Sequence, residues 1–367
     1  MKKVLILGDF SSKHTILWFD TYSKYFNTYG FTLQEPIIKD ERVFYLKTSI
    51  KSEKLKYSLS INSLKNFIEK TKPDIIHAHF IQNYGLMAYL LKKPYILSIW
   101  GRDLLSIAYK PFRKAISRSI IKSAKIVHTD AYILNWILIN EFNINPSKII
   151  NFPFGLENAI INEKLEPLSF EFFKIVEYRK HIDSIYNQSR LIKAIKIVKE
   201  NGYKNFKLFL LSHGIDTEKY KKLVKEYKLE EFVEFKGSSY SEILQELKSS
   251  HIYVSTSLVD STSVSLLEAM NFGALPVVSD IWSNFEWVID GYNGLLFNPL
   301  IEKDIAKKVI IAMDMDFINR ARRINKEIIK LKANWNMNFE KFIEFIEGYI
   351  QDNLTLKLKK AKPWSYI

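Results

Sequence analysis

Short runs of β-branched and other apolar residues alternate with longer amphipathic stretches through both halves of the sequence. This alternation is typical of parallel sheets flanked by helices, because successive parallel strands need a long crossover, usually a helix, to connect them. We therefore predict two doubly wound α/β domains with about six strands each. The predicted strands span residues 4–8, 43–47, 74–79, 95–100, 126–129 and 149–152 in the first half, and 174–177, 207–211, 233–235, 252–255, 275–279 and 294–297 in the second.

The chain has 367 residues, more than one hydrophobic core usually organises, so two domains are expected. We predict an N-terminal Rossmann-like domain over residues 1–157, a poorly periodic linker over 158–170 and a C-terminal Rossmann-like domain over 171–337. A last amphipathic helix is predicted over 338–352, packing back on the N-terminal domain, and a basic tail over 353–367 follows it.

The composition excludes several classes of protein. Apolar residues make up 47% of the chain, which is enough for two buried cores and unlike a disordered protein. The sequence contains no cysteine, which excludes disulfides, thiolate metal sites and a cysteine nucleophile. No apolar run approaches the ~20 residues that a spanning helix needs, and Met1 leads directly into a strand-like run. We therefore expect a cytoplasmic protein without a cleaved signal.

The net charge of +14 is unevenly distributed. Residues 1–157 hold 23 Lys and Arg against 12 Asp and Glu, a balance of +11, so we expect the partner of the basic surface to meet the N-terminal half. No nucleic-acid-binding signature accompanies this charge, which disfavours nucleic acid. An anionic membrane or a lipid-phosphate acceptor fits better, because residues 113–125 mix basic and apolar residues as an interfacial helix would; an ordinary surface helix is the alternative.

The most informative segment is residues 251–280, which is predicted to form a strand, a loop, a helix, a glycine stop and a second strand. Asp260 lies in the loop, and Glu268 lies about two turns into a helix that starts near Thr262. Helical side chains lean toward the N-terminus, so both carboxylates can face one pocket. Between them, a helix N-terminus offers backbone amides to a phosphate or diphosphate. These predicted amides belong to Ser261, Thr262, Ser263 and Val264.

A capping Asp followed by a solvated Glu is the alternative interpretation of this pair, but the surrounding residues resemble the retaining enzymes of glycosyltransferase family 4. That family combines an acid-x7-acid pair with a set of short motifs downstream. Here these are Asp260-x7-Glu268, Ala269-Met270, Gly273, Pro276-Val277-Val278, Asn284-x-Glu286-Trp287 and Gly291-x-x-Gly294. The resemblance implies the GT-B architecture, in which two Rossmann-like domains face a central cleft.

The resemblance also implies roles for these residues. Glu268 would bind the ribose hydroxyls of a nucleotide-diphosphate sugar, and Asp260 would meet hydroxyls of the transferred sugar, although the family usually has Glu there. Arg179, just after the first strand of the second domain, matches an Arg that neutralises the leaving diphosphate. The Lys that follows it in the family is replaced by Tyr186, for which Lys180 or Lys193 could compensate. No metal and no further cofactor are expected.

Polar residues also follow the predicted strands of the first domain. Ser12 and His14 come after the first strand, His77 and His79 end the third, and Asp103 follows the fourth in a Trp-Gly-Arg-Asp run. Side chains two apart on a strand share a face, so one of the two histidines is predicted to contact the sugar or acceptor. We predict a catalytic role for His79 and acceptor or cleft contacts for the others. A metal site is disfavoured because no third ligand accompanies the two histidines.

The resulting prediction is transfer of a sugar from a nucleotide-diphosphate donor to a hydroxyl of a glycan or glycolipid, with retention of anomeric configuration. Two alternatives remain open: another GT-B enzyme, such as an inverting transferase or a sugar-nucleotide epimerase, and a non-catalytic sugar-binding relative. A nicotinamide dehydrogenase is disfavoured because no G-x-G-x-x-G follows the first strand. The Asp314-Met315-Asp316 run falls between two helical stretches, so we predict a helix cap instead of a metal site.

Overall fold

A computed structural model describes residues 2–50, 52, 55–107 and 111–351 of the chain. The chain folds as two compact units, one comprising Met1–Phe152 with the chain from Lys341 onward and the other Pro153–Glu340. Each unit contains its own parallel sheet. The predicted basic tail over 353–367 and the last residue of the predicted helix over 338–352 lie outside the described residues.

The first unit contains a seven-stranded sheet in the order β3-β2-β1-β4-β5-β6-β7, with every neighbouring pair parallel. This is the doubly wound order, in which the chain winds outward first in one direction and then in the other. The strands are β1 (Lys3–Leu7), β2 (Asn27–Thr32), β3 (Val43–Tyr45), β4 (Ile75–His79), β5 (Ile96–Ile99), β6 (Ile126–Thr129) and β7 (Ile149–Asn151).

Six of these seven strands were predicted within two residues at their ends, and β2 was missed. Its sequence, NTYGFT, breaks the apolar pattern with Asn, Thr and Gly. Gly30 is required there because a Cβ at this position would collide with the ring of Phe10. Because Phe10 packs closely on the sheet, this strand has a glycine where an apolar side chain would have identified it as a strand.

Helices cover the faces of the first sheet, whose strands β1, β4, β5 and β6 are almost wholly buried. A π-helical turn at Phe80–Gly85 follows β4, and a 3₁₀ turn at Pro146–Lys148 precedes β7. The helices of this unit are α1 (Lys13–Tyr22), α2 (Lys56–Leu59), α3 (Ile61–Thr71), α4 (Leu86–Leu90), α5 (Arg102–Leu105), α6 (Pro111–Ser123) and α7 (Tyr132–Asn140).

The second unit repeats the pattern with a six-stranded parallel sheet in the order β10-β9-β8-β11-β12-β13. All six strands were predicted, each within one residue, because their short apolar runs are bounded by polar turns. They are β8 (Phe173–Glu177), β9 (Phe206–Leu210), β10 (Val233–Phe235), β11 (Ile252–Ser255), β12 (Leu275–Ser279) and β13 (Leu295–Phe297).

The remaining helices follow the same alternation. They are α8 (Asn158–Ile161), α9 (Asp183–Tyr186), α10 (Gln188–Glu200), α11 (Thr217–Glu226), α12 (Tyr240–Lys248), α13 (Val264–Phe272), α14 (Glu302–Ala312), α15 (Met315–Lys332) and α16 (Trp335–Gln351), with a 3₁₀ turn at Asn284–Glu286. Across the described part of the chain, no helix combines the length and the apolarity needed to cross a membrane.

Two segments outside the sheets are held by specific contacts. In the second unit, Arg322 of α15 donates to the carbonyl oxygen of Glu166 over 2.6 Å and thereby fixes the segment that precedes β8. In the first unit, Phe342 of α16 packs edge-on against Trp18 of α1, with ring centroids 5.3 Å apart.

The run at 314–316 is a helix cap, as predicted, because the Asp314 carboxylate accepts the amides of Asp316 and Phe317 at the start of α15.

Candidate functional site

The candidate site lies where the strand order of the second sheet reverses, between β8 and β11. Ligands of open α/β sheets bind beyond the carboxyl ends of the strands at such a switch point, because the two neighbouring crossovers leave in opposite directions and open a crevice. The loop after β8 carries Tyr178 and Arg179, and the loop after β11 carries Asp260 and leads into α13. The three elements thus bring the predicted donor-binding residues to one end of the sheet.

The side chain of Arg179 makes three polar contacts in this crevice. Its Nη2 donates to the carboxylate of Asp260 over 2.6 Å, and its Nη1 donates to the hydroxyls of Ser263 and Ser265 over 2.8 Å each. Burial disfavours the charged guanidinium, but the adjacent Asp260 carboxylate raises the pKa of Arg179 above its ordinary value. Arg179 is therefore a fixed cation that reaches from the β8 loop to the amino end of α13.

The family pattern has a second basic residue where this chain has Tyr186. The ring of Tyr186 packs on Arg179 instead, with the guanidinium carbon 4.6 Å from the ring centroid. Of the two lysines considered as substitutes, Lys193 lies 3.9 Å from the carboxylate of Glu302. Lys180 is exposed and directly follows Arg179. Lys180 thus belongs to the same loop as Arg179, whereas Lys193 lies on α10.

Glu268 lies on α13 with only 2% of its surface exposed. The hydroxyl of Tyr178 donates to its Oε2 over 2.5 Å, and the hydroxyl of Tyr240 donates to its Oε1. Burial and the neighbouring Glu268 carboxylate raise the pKa of Tyr178 well above its ordinary value, which keeps this hydroxyl a donor. The two tyrosines fix the orientation of the carboxylate, whose paired oxygens can accept hydrogen bonds from two adjacent hydroxyls.

Helix α13 begins later than predicted, at Val264 instead of near Thr262. Ser263 is the N-cap residue, but its hydroxyl bonds to Arg179 and to Ser265 instead of a first-turn amide. Glu268 consequently lies one turn into the helix and not two. Ser261, Thr262 and Ser263 are buried beside Asp260, whose Oδ1 accepts the amide of Ser261 over 3.1 Å.

A second layer of polar contacts supports the β8 loop. Glu177, the last residue of β8, is 1% exposed and accepts the backbone amide of Arg179 over 2.8 Å. Burial raises the pKa of Glu177 to about 8, so it is largely protonated at neutral pH. Gln188 donates to the backbone carbonyl of Lys180 over 3.0 Å and accepts from the hydroxyl of Tyr220 over 2.8 Å. These buried groups hold the backbone of the loop in one conformation.

In the first unit, His77 belongs to a buried hydrogen-bonded chain. The carbonyl of Phe152 can only accept, so His128 carries its proton on Nε2 and its Nδ1 accepts from the hydroxyl of Ser98, at 3.0 Å and 2.9 Å. Ser98 then accepts from Nε2 of His77 over 2.7 Å, and the hydroxyl of Tyr22 donates to Nδ1 of His77 over 2.9 Å. Both ring nitrogens of His77 are therefore engaged inside the core.

His79, the predicted catalytic histidine, ends β4 at the switch point of the first sheet and is fully buried. Its Nδ1 lies 3.4 Å from the hydroxyl of Thr15, and its ring centroid lies 4.6 Å from that of Trp100. Gly8 follows β1 at this point because a Cβ there would lie 2.7 Å from Thr15 and 3.0 Å from His79. Burial lowers the pKa of His79 to about 3, so it is neutral.

The other predicted cleft residues lie at the amino ends of two helices of the same unit, α1 and α5. Ser12 is the N-cap residue of α1, and His14 is exposed with its ring centroid 6.0 Å from that of Trp100. Asp103 is only 7% exposed. Its two oxygens accept the backbone amides of Ile81 and Trp100 over 3.0 Å and 3.1 Å, and burial raises its pKa to about 6. Asp103 thus holds two loops together.

The structure brings Arg179, Asp260 and Glu268 into one network through residues that sequence reasoning missed. Tyr178, Tyr240 and Ser265 complete the contacts of these three side chains, and the only sequence signal was the position of Tyr178 beside Arg179 at a strand end. Within residues 2–50, 52, 55–107 and 111–351, no group of three acidic or histidine side chains is arranged to hold a metal ion.

Comparisons with known proteins match two parts of the chain to glycosyltransferase families. Residues 165–331 match the family "Glycosyl transferases group 1", and residues 3–130 match "Glycosyl transferase 4-like". An uncharacterised glycosyltransferase of Methanocaldococcus jannaschii is 28% identical over 252 residues, which cover 65% of this chain and 62% of that relative. The chain thus spans less than two thirds of this relative.

Solved structures share the fold at low sequence identity. Sucrose-phosphate synthase from Thermosynechococcus elongatus has a TM-score of 0.80 at 15% identity, covering 96% of this chain and 100% of that one. HepE from Anabaena, solved in complex with UDP, has a TM-score of 0.77 at 13% identity, covering 95% and 100%. The chain thus has the fold of GT-B glycosyltransferases, and its two parts match two glycosyltransferase families, group 1 over residues 165–331 and the 4-like family over residues 3–130.

Proposed function

We propose that the protein transfers a sugar from a nucleoside-diphosphate sugar to a hydroxyl group of a glycan or glycolipid, with retention of anomeric configuration, as in glycosyltransferase family 4. The observation that supports this best is the network of Arg179, Asp260 and Glu268 around the amino end of α13. It offers a fixed cation with helix amides for a diphosphate, and two carboxylates for hydroxyl groups.

In this proposal the nucleotide binds along α13. The carboxylate of Glu268, oriented by Tyr178 and Tyr240, accepts the two ribose hydroxyls. The diphosphate lies against the amides of residues 261–264 and the guanidinium of Arg179. It replaces part of the contact that Arg179 makes with the hydroxyls of Ser263 and Ser265. Because Anabaena HepE was solved with UDP, a uridine nucleotide is the first donor to test.

The chemical step replaces the bond between C1 of the sugar and the diphosphate oxygen by a bond from C1 to the acceptor oxygen. Negative charge develops on the departing diphosphate, and Arg179 with the helix amides stabilises it. The departing oxygen takes the proton of the acceptor hydroxyl on the same face of the sugar, which preserves the anomeric configuration. Asp260 holds hydroxyls of the transferred sugar during this step.

A panel of nucleotides and nucleotide sugars tests the proposal directly. A ligand at 100 times its dissociation constant stabilises the folded protein by ~2.7 kcal/mol, so the donor should raise the melting temperature. NMR of the product made from that donor then gives the anomeric form. An inverted product would indicate an inverting transferase, an epimerised nucleotide an epimerase, and binding without turnover of any donor a non-catalytic relative.

The proposed role of Glu268 predicts the effect of the Glu268→Ala variant. Loss of charge-assisted hydrogen bonds worth about 1.5–3 kcal/mol should weaken binding of UDP, and of the donor, by roughly ten- to a hundredfold. Isothermal titration of UDP measures this effect. The Glu226→Ala variant, which alters an exposed glutamate of α11, is the matched control and should bind UDP as the wild type does. Unchanged UDP affinity in a folded Glu268→Ala protein would refute the ribose assignment.

We also propose peripheral contact with the inner face of an anionic membrane through α6, where a lipid-linked acceptor would lie. Arg113 and Lys122 of this helix are exposed, and so are two apolar side chains, Phe112 at 77% and Ile116 at 42%. Exposed basic and apolar side chains on one helix suit the boundary between lipid headgroups and acyl chains.

This contact predicts salt-sensitive binding to vesicles that contain phosphatidylserine. Each basic residue near such a surface contributes ~1 kcal/mol, and salt screens the attraction within ~10 Å at 0.1 M. Co-sedimentation should therefore show binding at low salt that fades as salt rises. Neutralising four residues of α6 should weaken it without changing UDP affinity. The four are Arg113, Lys114, Arg118 and Lys122.

The matched control neutralises four exposed lysines of the second unit, which should leave vesicle binding much less affected. They are Lys221, Lys222, Lys225 and Lys228. If the wild-type protein does not bind anionic vesicles even at low ionic strength, the membrane contact is wrong and a soluble acceptor becomes the better proposal. Equal losses in both quadruple variants would mean that total charge, and not α6, determines binding.

A further inference from the structure

Two aromatic side chains project into solvent from the turn that follows β12. Trp282 is 74% exposed and Phe285 is 53% exposed. Their ring centroids lie 6.2 Å apart with the planes tilted by 53°. Burial is what usually stabilises rings of this size, and a single exposed ring is ordinary, but two rings in contact on one short turn form a local apolar surface.

This turn is fixed to the loop that carries Asp260. The hydroxyl of Ser283, the residue after Trp282, donates to the carbonyl oxygen of Asp260 over 3.0 Å, and Ser283 is 2% exposed. Asn284 donates to the carbonyl oxygen of Ser279 over 2.8 Å and is 5% exposed. The two residues between Trp282 and Phe285 are therefore held in place, and the pair is positioned relative to Asp260.

The turn also contributes to the pocket of the candidate site. Ile281, the residue before Trp282, and Asn284 line one pocket together with Asp260 and Ser263. Each aromatic residue is thus the chain neighbour of a residue that lines the pocket with Asp260, the carboxylate proposed to hold the transferred sugar. An apolar wall beside a few fixed polar groups is the usual construction of a small-molecule site.

The chemistry of this rim selects a class of ligand. A pyranose ring has hydroxyls around its edge, which a carboxylate such as Asp260 can accept, and a face of C–H groups, which packs on an aromatic ring. A diphosphate has no apolar face, and it is already accommodated by Arg179 and the amino end of α13. We propose that Trp282, with Phe285 beside it, packs against a pyranose ring and acts as a specificity-determining residue of this site.

This inference rests on the proposed function and extends it to a particular recognition surface. The pyranose is either the transferred sugar of the donor or a sugar of the acceptor. The two sources share the same chemistry, and binding experiments separate them, because the transferred sugar is present in a sugar nucleotide and absent from the nucleoside diphosphate.

The test compares the Trp282→Ala variant with the wild type in binding and in turnover. Binding of UDP and of UDP-glucose is measured by titration, and the same comparison is made with UDP-galactose, UDP-N-acetylglucosamine and GDP-mannose against their free diphosphates. If the ring packs on the donor sugar, the variant should bind the accepted sugar nucleotide about tenfold more weakly, equivalent to about 1.4 kcal/mol, and bind the free diphosphate as before. If it packs on an acceptor sugar, the KM for the acceptor should rise by a similar factor instead.

Two further variants make the result specific. Trp282→Tyr retains an aromatic face and should recover most of the loss. Tyr292→Ala removes another exposed aromatic ring of the same segment, 52% exposed, and should leave binding and turnover unchanged. If Trp282→Ala behaves as Tyr292→Ala does, the inference is overturned while wild-type turnover still supports the proposed function. A wild-type protein that binds no sugar nucleotide would contradict both.

Discussion

Replacing Asp260 by asparagine should reduce turnover of the sugar nucleotide by about a hundredfold while changing the dissociation constant of UDP by less than about threefold. The carboxylate is proposed to accept hydroxyls of the transferred sugar, and UDP lacks that sugar. Asparagine keeps one oxygen that can still accept from Nη2 of Arg179, so the ion pair at 2.6 Å becomes a neutral-acceptor hydrogen bond and the guanidinium stays in place. Steady-state kinetics and titration of UDP measure the two effects separately.

The contact with Arg179 makes the control essential, because Asp260 also organises the site. Asp260→Ala removes the acceptor altogether, so it should weaken UDP binding more than Asp260→Asn does. Asp280→Asn neutralises an exposed carboxylate at the end of β12 and should change neither quantity. Equal losses of turnover and of UDP affinity in Asp260→Asn would mean that this residue holds the loop and Arg179, and does not contact the sugar.

The strands that could be predicted from sequence are those whose local pattern and tertiary environment agree. Ile252–Ser255 and Leu275–Ser279 match the prediction at both ends, because these central parallel strands are buried on both faces and their sequences are almost continuously apolar. β2 was missed because its pattern is set by a neighbour. Packing of Phe10 requires glycine at position 30, and that contact cannot be predicted from the sequence of the strand itself.

The same distinction applies to the candidate site. Asp260, Glu268 and Arg179 could be identified because they lie at fixed offsets from strands and within a long motif. Their partners could not, since Tyr178 and Glu268 are 90 positions apart and their contact depends on how two elements pack. The start of α13 was also predicted too early, because the hydroxyl of its N-cap residue, Ser263, bonds to Arg179 of a distant loop.

Histidines of the first unit illustrate the limit of a pattern on a strand. His77 and His79 share a face of β4, which was predicted correctly from their spacing. Their environments nevertheless differ, because His77 lies within hydrogen-bonding distance of Tyr22 and Ser98, whereas Nε2 of His79 has no hydrogen-bond partner among the described residues. Spacing identifies a shared face, and only the packing of other elements decides what each side chain contacts.

Replacing Arg179 by alanine should weaken binding of UDP by about a hundred- to a thousandfold and leave binding of uridine within about threefold of the wild type. The guanidinium is held by Asp260, Ser263 and Ser265 at the amino end of α13, where a diphosphate would lie. Two or more charge-assisted hydrogen bonds to the diphosphate would be lost, whereas uridine carries no phosphate. Titration of both ligands, with thermal unfolding to verify the fold, measures the difference.

Two variants separate loss of the phosphate contact from damage to the site. Arg179→Lys keeps the charge but not the planar fork that bonds several oxygens at once, so it should recover only part of the affinity for UDP. Arg190→Ala removes a partly exposed arginine of α10, 3.6 Å from Glu302, and should bind UDP normally. If Arg179→Ala weakens uridine as much as UDP, then Arg179 acts by supporting Asp260 and α13, and the diphosphate must be bound elsewhere. A difference confined to UDP would assign the diphosphate to the switch point of the second sheet.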